Sequence, residues 1–193
     1  GFLRTIYNMG IANELFPLLI FVGIGAMTDF GPLLANPSTF LLGAAGLFGI
    51  FLTLALALLL GFPQLDAVSI GIIGACDGPT AIYVTSKYAP HLLGAVSVAA
   101  YSYMSLVPVI QPPIMRLLTT EKERNTIMPS MVGSVSKTTK LLFPLVITVI
   151  GGLIAPKGLP LLGTIMLGNL MKESGVVSRL TKASENEIAN VVT

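Results

Sequence analysis

The stretch that decides the fold reads Ile70-Gly-Ile-Ile-Gly-Ala-Cys-Asp-Gly-Pro-Thr-Ala-Ile-Tyr83, an apolar run with one carboxylate, Asp77. Gly78 and Pro79 follow that carboxylate at once, and both residue types disfavour a helix interior. Because Pro79 has no N–H, the carbonyl of Ala75 would lose its helical partner. A charge near the centre of a bilayer costs about 3 kcal/mol or more and usually serves an ion, a proton or a charged substrate. The stretch therefore predicts a membrane helix broken at 77–79.

The same break predicts a cation site. The Asp77 carboxylate, freed backbone carbonyls around Gly78 and the Thr80 hydroxyl would form a cluster of hard oxygen atoms. Hard cations prefer such ligands, and broken helices of this design recur at the midplane of transporters. We expect Na⁺ or a proton at Asp77, Gly78 and Thr80. The alternative is a kinked helix in which Asp77 pairs with a lysine of a neighbouring helix.

The composition is that of an integral membrane protein. Hydrophobic residues make up 53% of the 193 positions and charged residues 10%, with a mean hydropathy of +0.85, whereas soluble domains carry about 25% charged residues. We predict an all-α, polytopic transmembrane protein with discontinuous helices, one part of an inverted-repeat, transporter-like fold. We expect a single membrane domain, 1–193, truncated at both ends. Its predicted apolar segments are 15–28, 39–61, 68–86 with the break at 77–79, 92–115, 141–155 and 159–171.

Several function classes lack support in this sequence. The single Cys76 excludes an intramolecular disulfide, and the single His91 excludes a site built from several histidines. The chain has no P-loop and no arginine-rich stripe, so we expect no nucleic-acid partner. The lipid bilayer is the expected surroundings.

The predicted loop 116–140 sets the orientation. It carries five of the eleven basic residues and should face the cytoplasm. Counting spans outward from this loop places nine basic residues on the cytoplasmic side and two, Lys87 and Lys157, on the other.

Further polar residues occur in the apolar segments. Ser97, Tyr101 and Ser105 are spaced by four and share one helical face, while Tyr103 points roughly 200° away from Tyr101. The serines either bond their own backbone or belong to a polar face against a neighbour. A phenol such as that of Tyr103 can donate or relay a proton.

Asp29 and Asn169 leave two interpretations open each. Asp29 precedes a Gly-Pro break and is either a second carboxylate near the pathway or a solvated loop residue. Asn169 lies in a short apolar segment and is either a neutral ligand or the source of an interhelical hydrogen bond.

Four blocks of the sequence resemble one known family. They are 25–37 (GAMTDFGPLLANP), 70–83, 99–116 (AAYSYMSLVPVIQPPIMR) and 168–180 (GNLMKESGVVSRL). In this order they resemble the β subunit of the sodium-pumping, biotin-dependent decarboxylases, a family that serves oxaloacetate, methylmalonyl-CoA, glutaconyl-CoA and malonate decarboxylase systems. The likeness runs along nearly the whole chain.

The resemblance implies a function. A β subunit of this family accepts carboxybiotin from a carrier domain, decarboxylates it with uptake of a proton and exports Na⁺ across the prokaryotic inner membrane. Its implied partners are the α (carboxyltransferase), biotin-carrier and small membrane subunits. The family's aspartate falls on Asp77, as a Na⁺- and proton-coupling residue, and its tyrosine falls on Tyr103, as a catalytic residue on the ion or proton route.

The chain departs from the family pattern in two respects. Cys76 stands where members commonly have a small Gly or Ala, and the family's distal helix, with an Asn-Pro-x-x-Gly-Ser-Ala-Gly-like run, has no counterpart here. Function should survive the mild change at Cys76. The initial membrane segments of the family are missing as well as the distal helix, so we expect this chain to be inactive by itself. The rival hypothesis is a gradient-driven, sodium-coupled secondary transporter, a symporter or Na⁺/H⁺ antiporter, without biotin chemistry.

Overall fold

The computed structural model describes residues 1–127 and 135–192, and every regular element in these ranges is helical. The described residues group into two compact units, one from 1–40 and 132–193 and the other from 41–131. The α-helices are α1 (Phe2–Ile6), α2 (Leu15–Met27), α3 (Gly31–Ala35), α4 (Phe40–Leu59), α5 (Gln64–Gly71), α6 (Gly78–Tyr88), α7 (Leu93–Leu118), α8 (Glu121–Arg124), α9 (Lys137–Ile154), α10 (Leu159–Ser174), α11 (Ser178–Ala183) and α12 (Ala189–Val192).

Several helices are long and apolar enough to cross a membrane. They are Pro37–Leu59, Pro90–Leu118 and Lys137–Ile154, and the bent pair Phe2–Ile11 and Leu15–Met27, which meet at 54°, forms a fourth if it is one span. Large apolar side chains cover the outside of these helices, as lipid contact requires. The prediction of an all-α, polytopic transmembrane protein is thus confirmed, and the inverted repeat stays a prediction.

In the first unit, α2 and α10 cross with their backbones in contact. A Cβ atom on Gly25 would lie 1.9 Å from the carbonyl oxygen of Ile165, and one on Gly168 would lie 2.0 Å from that of Val22. Small residues at a crossing let two membrane helices approach closely, which is the main source of packing energy where lipid surrounds the helices. Glycine is therefore required at both positions.

In the second unit, α5 continues into a 3₁₀ turn, Ile72–Ala75, that packs against α4. A Cβ atom on Gly71 would lie 3.2 Å from the carbonyl oxygen of Ile50, and one on Gly74 would lie 3.4 Å from the backbone of Gly49. These contacts hold the turn that precedes Asp77.

Helices α6 and α7 form the core of the second unit. Ala81 of α6 packs with Val96 and Ala100 of α7, and all three are buried. The partly buried side chains of Ile72, Ile73 and Leu92 complete this cluster. The start of α6 is thereby fixed against the middle of α7.

Two predicted boundaries differ from the structure. The helix break lies at Cys76 and Asp77, not at 77–79, because Gly78 and Pro79 open the next helix. The loop 116–140 is shorter than predicted, because α7 continues to Leu118 and α9 begins at Lys137. Part of that loop, 128–134, lies outside the described residues. The single membrane domain stays a prediction.

Candidate ion-binding site

The break before α6 has a defined local geometry. The 3₁₀ turn ends at Ala75, Cys76 adopts a left-handed conformation with φ of 56°, and Asp77 is extended with φ of −134°. Positive φ is uncommon for a residue other than glycine, and such residues cluster at functional sites. Pro79 does not interrupt a helix here, because in the first turn of α6 its missing N–H would have no helical partner anyway.

Asp77 is the N-cap of α6. The Thr80 hydroxyl donates to its Oδ2 at 2.5 Å, and the Thr80 backbone N–H donates to its Oδ1 at 3.3 Å. A carboxylate at this position satisfies an otherwise unpaired helical N–H and interacts favourably with the positive end of the helix dipole. The half-buried carboxylate is thus held at the break by both of its oxygen atoms.

Asp77 has no salt-bridge partner among the described residues of its own unit, 41–127. A salt bridge in that range joins His91 to Asp66. Pairing of Asp77 with a lysine of another helix stays the alternative to an ion site.

The end of the preceding helix adds further oxygen atoms. The carbonyls of the last turn, around Gly74 and Ala75, lack helical partners because the chain leaves the helix at Cys76. They carry the negative end of the helix dipole. A carboxylate, a hydroxyl and such carbonyls suit a hard cation, whereas no cluster of three or more His, Cys, Asp and Glu occurs in the described ranges.

Tyr101 of α7, not Tyr103, lies against the break. A Cβ atom on Gly78 would lie 2.9 Å from Cζ and 3.2 Å from the hydroxyl oxygen of Tyr101. Tyr103, two residues on, points to another side of α7, is 41% exposed and borders a groove of about 230 Å³ beside Gln111.

The two serines of the predicted polar face bond their own helix. The Ser97 hydroxyl donates to the Leu93 carbonyl at 2.7 Å, and the Ser105 hydroxyl donates to the Tyr101 carbonyl at 2.9 Å. Both bonds connect residues four apart, which is common for hydroxyl side chains in membrane helices. Ser105 thus lies on the Tyr101 face but is engaged locally.

Asp29 lies in the turn between α2 and α3. Its Oδ1 accepts the Gly31 N–H at 2.8 Å and lies 3.6 Å from Lys140 Nζ, and its side chain is 57% exposed. The Gly31 N–H is the main cause that lowers the pKa of Asp29, and the nearby charges of Lys140 and Lys172 lower it further. These contacts fit the solvated-loop interpretation of Asp29.

Asn169 is buried at the α2–α10 contact, with 1% of its surface exposed. Its amide nitrogen donates to the Thr28 carbonyl at 3.0 Å. This bond satisfies a carbonyl at the end of α2 that the helix leaves unpaired. The geometry fits the interhelical hydrogen bond that was one of the two interpretations of Asn169.

Thr85 was not singled out from the sequence. It is fully buried in α6, and its hydroxyl has no hydrogen-bond partner within the described part of the chain. Asp77, Ala81 and Thr85 are spaced by four, so they share one face of α6. That spacing was the sequence signal that could have identified it.

Comparison with known proteins identifies the family. The family model of the Na⁺-transporting oxaloacetate decarboxylase beta subunit matches residues 1–193. The methylmalonyl-CoA decarboxylase subunit beta of Veillonella parvula is 55% identical over 189 residues, 98% of this chain and 50% of that protein. The oxaloacetate decarboxylase beta chain of Klebsiella pneumoniae is 54% identical over 199 aligned positions, 100% of this chain and 46% of that protein.

A third relative is similar to the same extent. The glutaconyl-CoA decarboxylase subunit beta of Acidaminococcus fermentans is 55% identical over 184 residues, 95% of this chain and 49% of that protein. The chain thus spans about half the length of the curated relatives it matches. Because the family model matches its whole length, the chain belongs to the beta-subunit family of the Na⁺-transporting oxaloacetate decarboxylases.

Proposed function

We propose that this chain is part of the membrane subunit of a sodium-pumping decarboxylase, and that it holds the transported Na⁺ at Asp77. The observation that carries the proposal is the Asp77 carboxylate, bound by Thr80 at a helix break in a chain of this family. A carboxylate inside a membrane helix is expensive and is a functional site by default.

Sodium binds between the two helix ends. Asp77 supplies a charged oxygen, Gly74 and Ala75 supply carbonyl oxygens, and Thr80 supplies a neutral one. The Thr80 hydroxyl can donate its hydrogen to Asp77 and still offer a lone pair to the cation. Gly78 contributes by permitting the close approach of backbone and ring at the site.

A proton competes with sodium for the same carboxylate. Protonation removes the charge of Asp77 and so weakens the hold on Na⁺, which then leaves. The proton is consumed when carboxybiotin, an N-carboxylate, loses CO₂, because the ring nitrogen of biotin takes up one proton as the N–CO₂ bond breaks. Tyr103 is proposed to lie on the route of the ion or the proton, since a phenol can donate or relay one.

The complex supplies the remaining chemistry. Carboxybiotin comes from a biotin-carrier partner that an α (carboxyltransferase) subunit loads, and a small membrane subunit completes the assembly. The protein lies in the inner membrane of a bacterium with 116–140 on the cytoplasmic side. The excess of basic residues in and near this loop supports that orientation.

The test uses the full-length protein in membranes. We would measure CO₂ release from free carboxybiotin with and without Na⁺, for the wild type, Asp77→Asn and the control Asp66→Asn. Asp66 lies in the first turn of α5 and pairs with the exposed His91, outside the break. We expect the sodium-dependent release to fall at least about 100-fold in Asp77→Asn and to persist in the control.

Two results would contradict the proposal. Normal sodium dependence in Asp77→Asn would remove the ion site from this carboxylate. Absence of CO₂ release from a folded wild type, together with Na⁺ flux driven by a gradient alone, would favour the secondary transporter without biotin chemistry.

A further inference from the structure

We propose that Tyr101 is a positioning residue of the Asp77 site, whose ring fixes the backbone at Gly78 and thereby sets the affinity for Na⁺. This inference rests on the proposed function, since it assigns a role at the same ion site. It follows from the contact between the ring and the backbone immediately after Asp77.

The contact is so close that a Cβ atom at position 78 would force the Tyr101 ring to shift. A Cβ atom on Gly78 would lie 2.9 Å from Cζ, 3.0 Å from Cε1 and 3.2 Å from the hydroxyl oxygen of Tyr101. One edge of the phenol therefore lies along the backbone of Gly78, with its hydroxyl end included. Because Gly78 is bonded directly to Asp77, the ring limits the rotation of the carboxylate-bearing residue.

The part of α7 that carries the ring is packed against α6. Its neighbour Ala100 is buried with Ala81 and Val96 in the cluster that joins α6 and α7. The Tyr101 carbonyl accepts the Ser105 hydroxyl within the same helix. The ring therefore extends from a packed part of α7 to the start of α6, where it lies against Gly78.

The ring adds to the two hydrogen bonds from Thr80 that hold Asp77 at the break. Asp77 is extended and Cys76 has a positive φ, so neither belongs to a helix that would fix its dihedral angles. Glycine at position 78 adds conformational freedom. A displacement of about 1 Å at a binding site can lower its efficiency about 100-fold, so a support of this kind would have a measurable effect.

The experiment separates the effects of the Tyr101 ring, the Tyr101 hydroxyl and the place of the tyrosine in the fold. In the full-length protein in membranes we would measure the Na⁺ concentration for half-maximal CO₂ release and the turnover at saturating Na⁺. The variants are Tyr101→Phe, Tyr101→Leu and Gly78→Ala. The matched control is Tyr88→Leu, which removes a tyrosine at the far end of α6.

We expect Tyr101→Leu to raise the half-saturating Na⁺ concentration about tenfold or more, with turnover at saturation changed less than about threefold. Tyr101→Phe keeps the ring and should stay within about threefold of the wild type. Gly78→Ala displaces the ring and should resemble Tyr101→Leu. It therefore supplies a second test of the contact if Tyr101→Leu does not fold. In the double variant Gly78→Ala/Tyr101→Leu, the half-saturating Na⁺ concentration should rise less than the product of the two single increases, since both substitutions break the same contact.

The outcomes separate this inference from the proposed function. If Tyr101→Leu and Gly78→Ala match Tyr88→Leu while Asp77→Asn loses its sodium response, the positioning role is overturned and the ion site stands. Equal losses of turnover and affinity in Tyr101→Leu, with no recovery in Tyr101→Phe, would likewise overturn it. Failure of Asp77→Asn to change the sodium response would instead contradict the ion site itself.

Discussion

Two helix ends in this molecule meet opposite electrostatic surroundings. At the end of α2, the Thr28 carbonyl accepts hydrogen bonds from Asn169 at 3.0 Å and from Lys172 at 3.1 Å, and the Met27 carbonyl accepts one from Lys172 at 3.3 Å. The turn that ends at Ala75 is followed instead by the carboxylate of Asp77.

The two helix ends differ in how their charge is balanced within the protein. The carbonyls at the end of a helix carry negative partial charge, which a lysine neutralises. The end of α2 is thus complete within the protein. A carboxylate beside such carbonyls adds to the negative charge, which the proposed Na⁺ would neutralise.

The close contacts of the glycines in the two regions differ as well, because one set is with backbone and the other with a side chain. Gly25 and Gly168 meet carbonyl groups of a neighbouring helix backbone, while Gly78 meets the ring of Tyr101. A backbone in a packed helix cannot move aside, whereas a side chain can shift. Substitutions should therefore destroy the fold at the α2–α10 crossing and change the function at the break.

The largest effect is expected for Gly168→Ala. The added Cβ atom would lie 2.0 Å from the Val22 carbonyl oxygen, so α10 and α2 would have to separate. We expect a destabilisation of about 3 kcal/mol or more, measured as a loss of folded protein and a lower thermal midpoint in detergent.

The control for that variant lies on the same helix. Gly163 has open space around its Cβ position, so Gly163→Ala should keep or raise the stability by up to about 1 kcal/mol. Equal stabilities for the two variants would show that the helix crossing does not depend on glycine.

A smaller loss is expected for Asn169→Leu. The substitution keeps a side chain of similar size but removes the amide that donates to the Thr28 carbonyl in a buried place. Loss of a buried hydrogen-bond partner costs about 1–3 kcal/mol, and the remaining bond from Lys172 should keep the cost at the lower end. The thermal midpoint of the full-length protein measures it, with the exposed Asn186→Ala as control.

An unchanged thermal midpoint of Asn169→Leu, together with a weaker sodium response, would contradict this prediction. It would favour the interpretation of Asn169 as a neutral ion ligand over that of an interhelical bond.

Much of the helical architecture could be predicted from the sequence, because lipid imposes one strong rule. Backbone groups in a bilayer must bond internally, so long apolar runs such as 39–61 form helices. The structure places α4 at Phe40–Leu59, close to that prediction. The break around Asp77 was predictable for the same reason, since a carboxylate and a Gly-Pro pair do not suit a buried helix interior.

The details of the break were not predictable from local patterns. Gly and Pro favoured a bend at 77–79, but Pro is well tolerated in a first helical turn, so the turn formed at Cys76 instead. Which tyrosine meets Asp77 depends on how α7 packs on α6, a tertiary contact through Ala81 and Ala100. Helical spacing showed only that Tyr101 and Tyr103 point to different sides.

At the break itself, Thr80→Val should weaken sodium binding. The variant removes the hydroxyl that donates to Asp77 Oδ2 and leaves only the backbone N–H as a donor. The variant also removes a proposed oxygen ligand of the ion, so we expect the half-saturating Na⁺ concentration to rise about tenfold or more. Sodium-dependent CO₂ release from the full-length protein measures it.

Two further variants sharpen this prediction. Thr80→Ser keeps a hydroxyl and should restore most of the affinity. Thr148→Val removes a hydroxyl that bonds the Pro144 carbonyl of its own helix in the first unit, and it should leave the sodium response unchanged. A Thr80→Val variant with the sodium response of the wild type would show that the hydroxyl is no part of the site.

The smallest effect concerns Asp29, which belongs to the α2 end. The pKa of this carboxyl is lowered, chiefly by the Gly31 N–H and further by Lys140. Because the pKa is lower in the folded state, the ionised Asp29 stabilises the protein at pH values above its ordinary pKa of about 4. This contribution is lost as the pH falls through the pKa of the folded state. Because Asp29 is 57% exposed, its contribution should stay below about 1 kcal/mol.

Unfolding of the wild type and Asp29→Asn in detergent would test this between pH 7 and pH 3. The variant should be slightly less stable at pH 7, and the difference should shrink towards pH 3. Lys140→Met should retain most of the pH dependence, because the Gly31 N–H is the larger cause. A difference between wild type and Asp29→Asn that stays constant with pH would show that the charge of Asp29 adds nothing to the α2 end, and that its neutral hydrogen-bonding capacity alone shapes the turn.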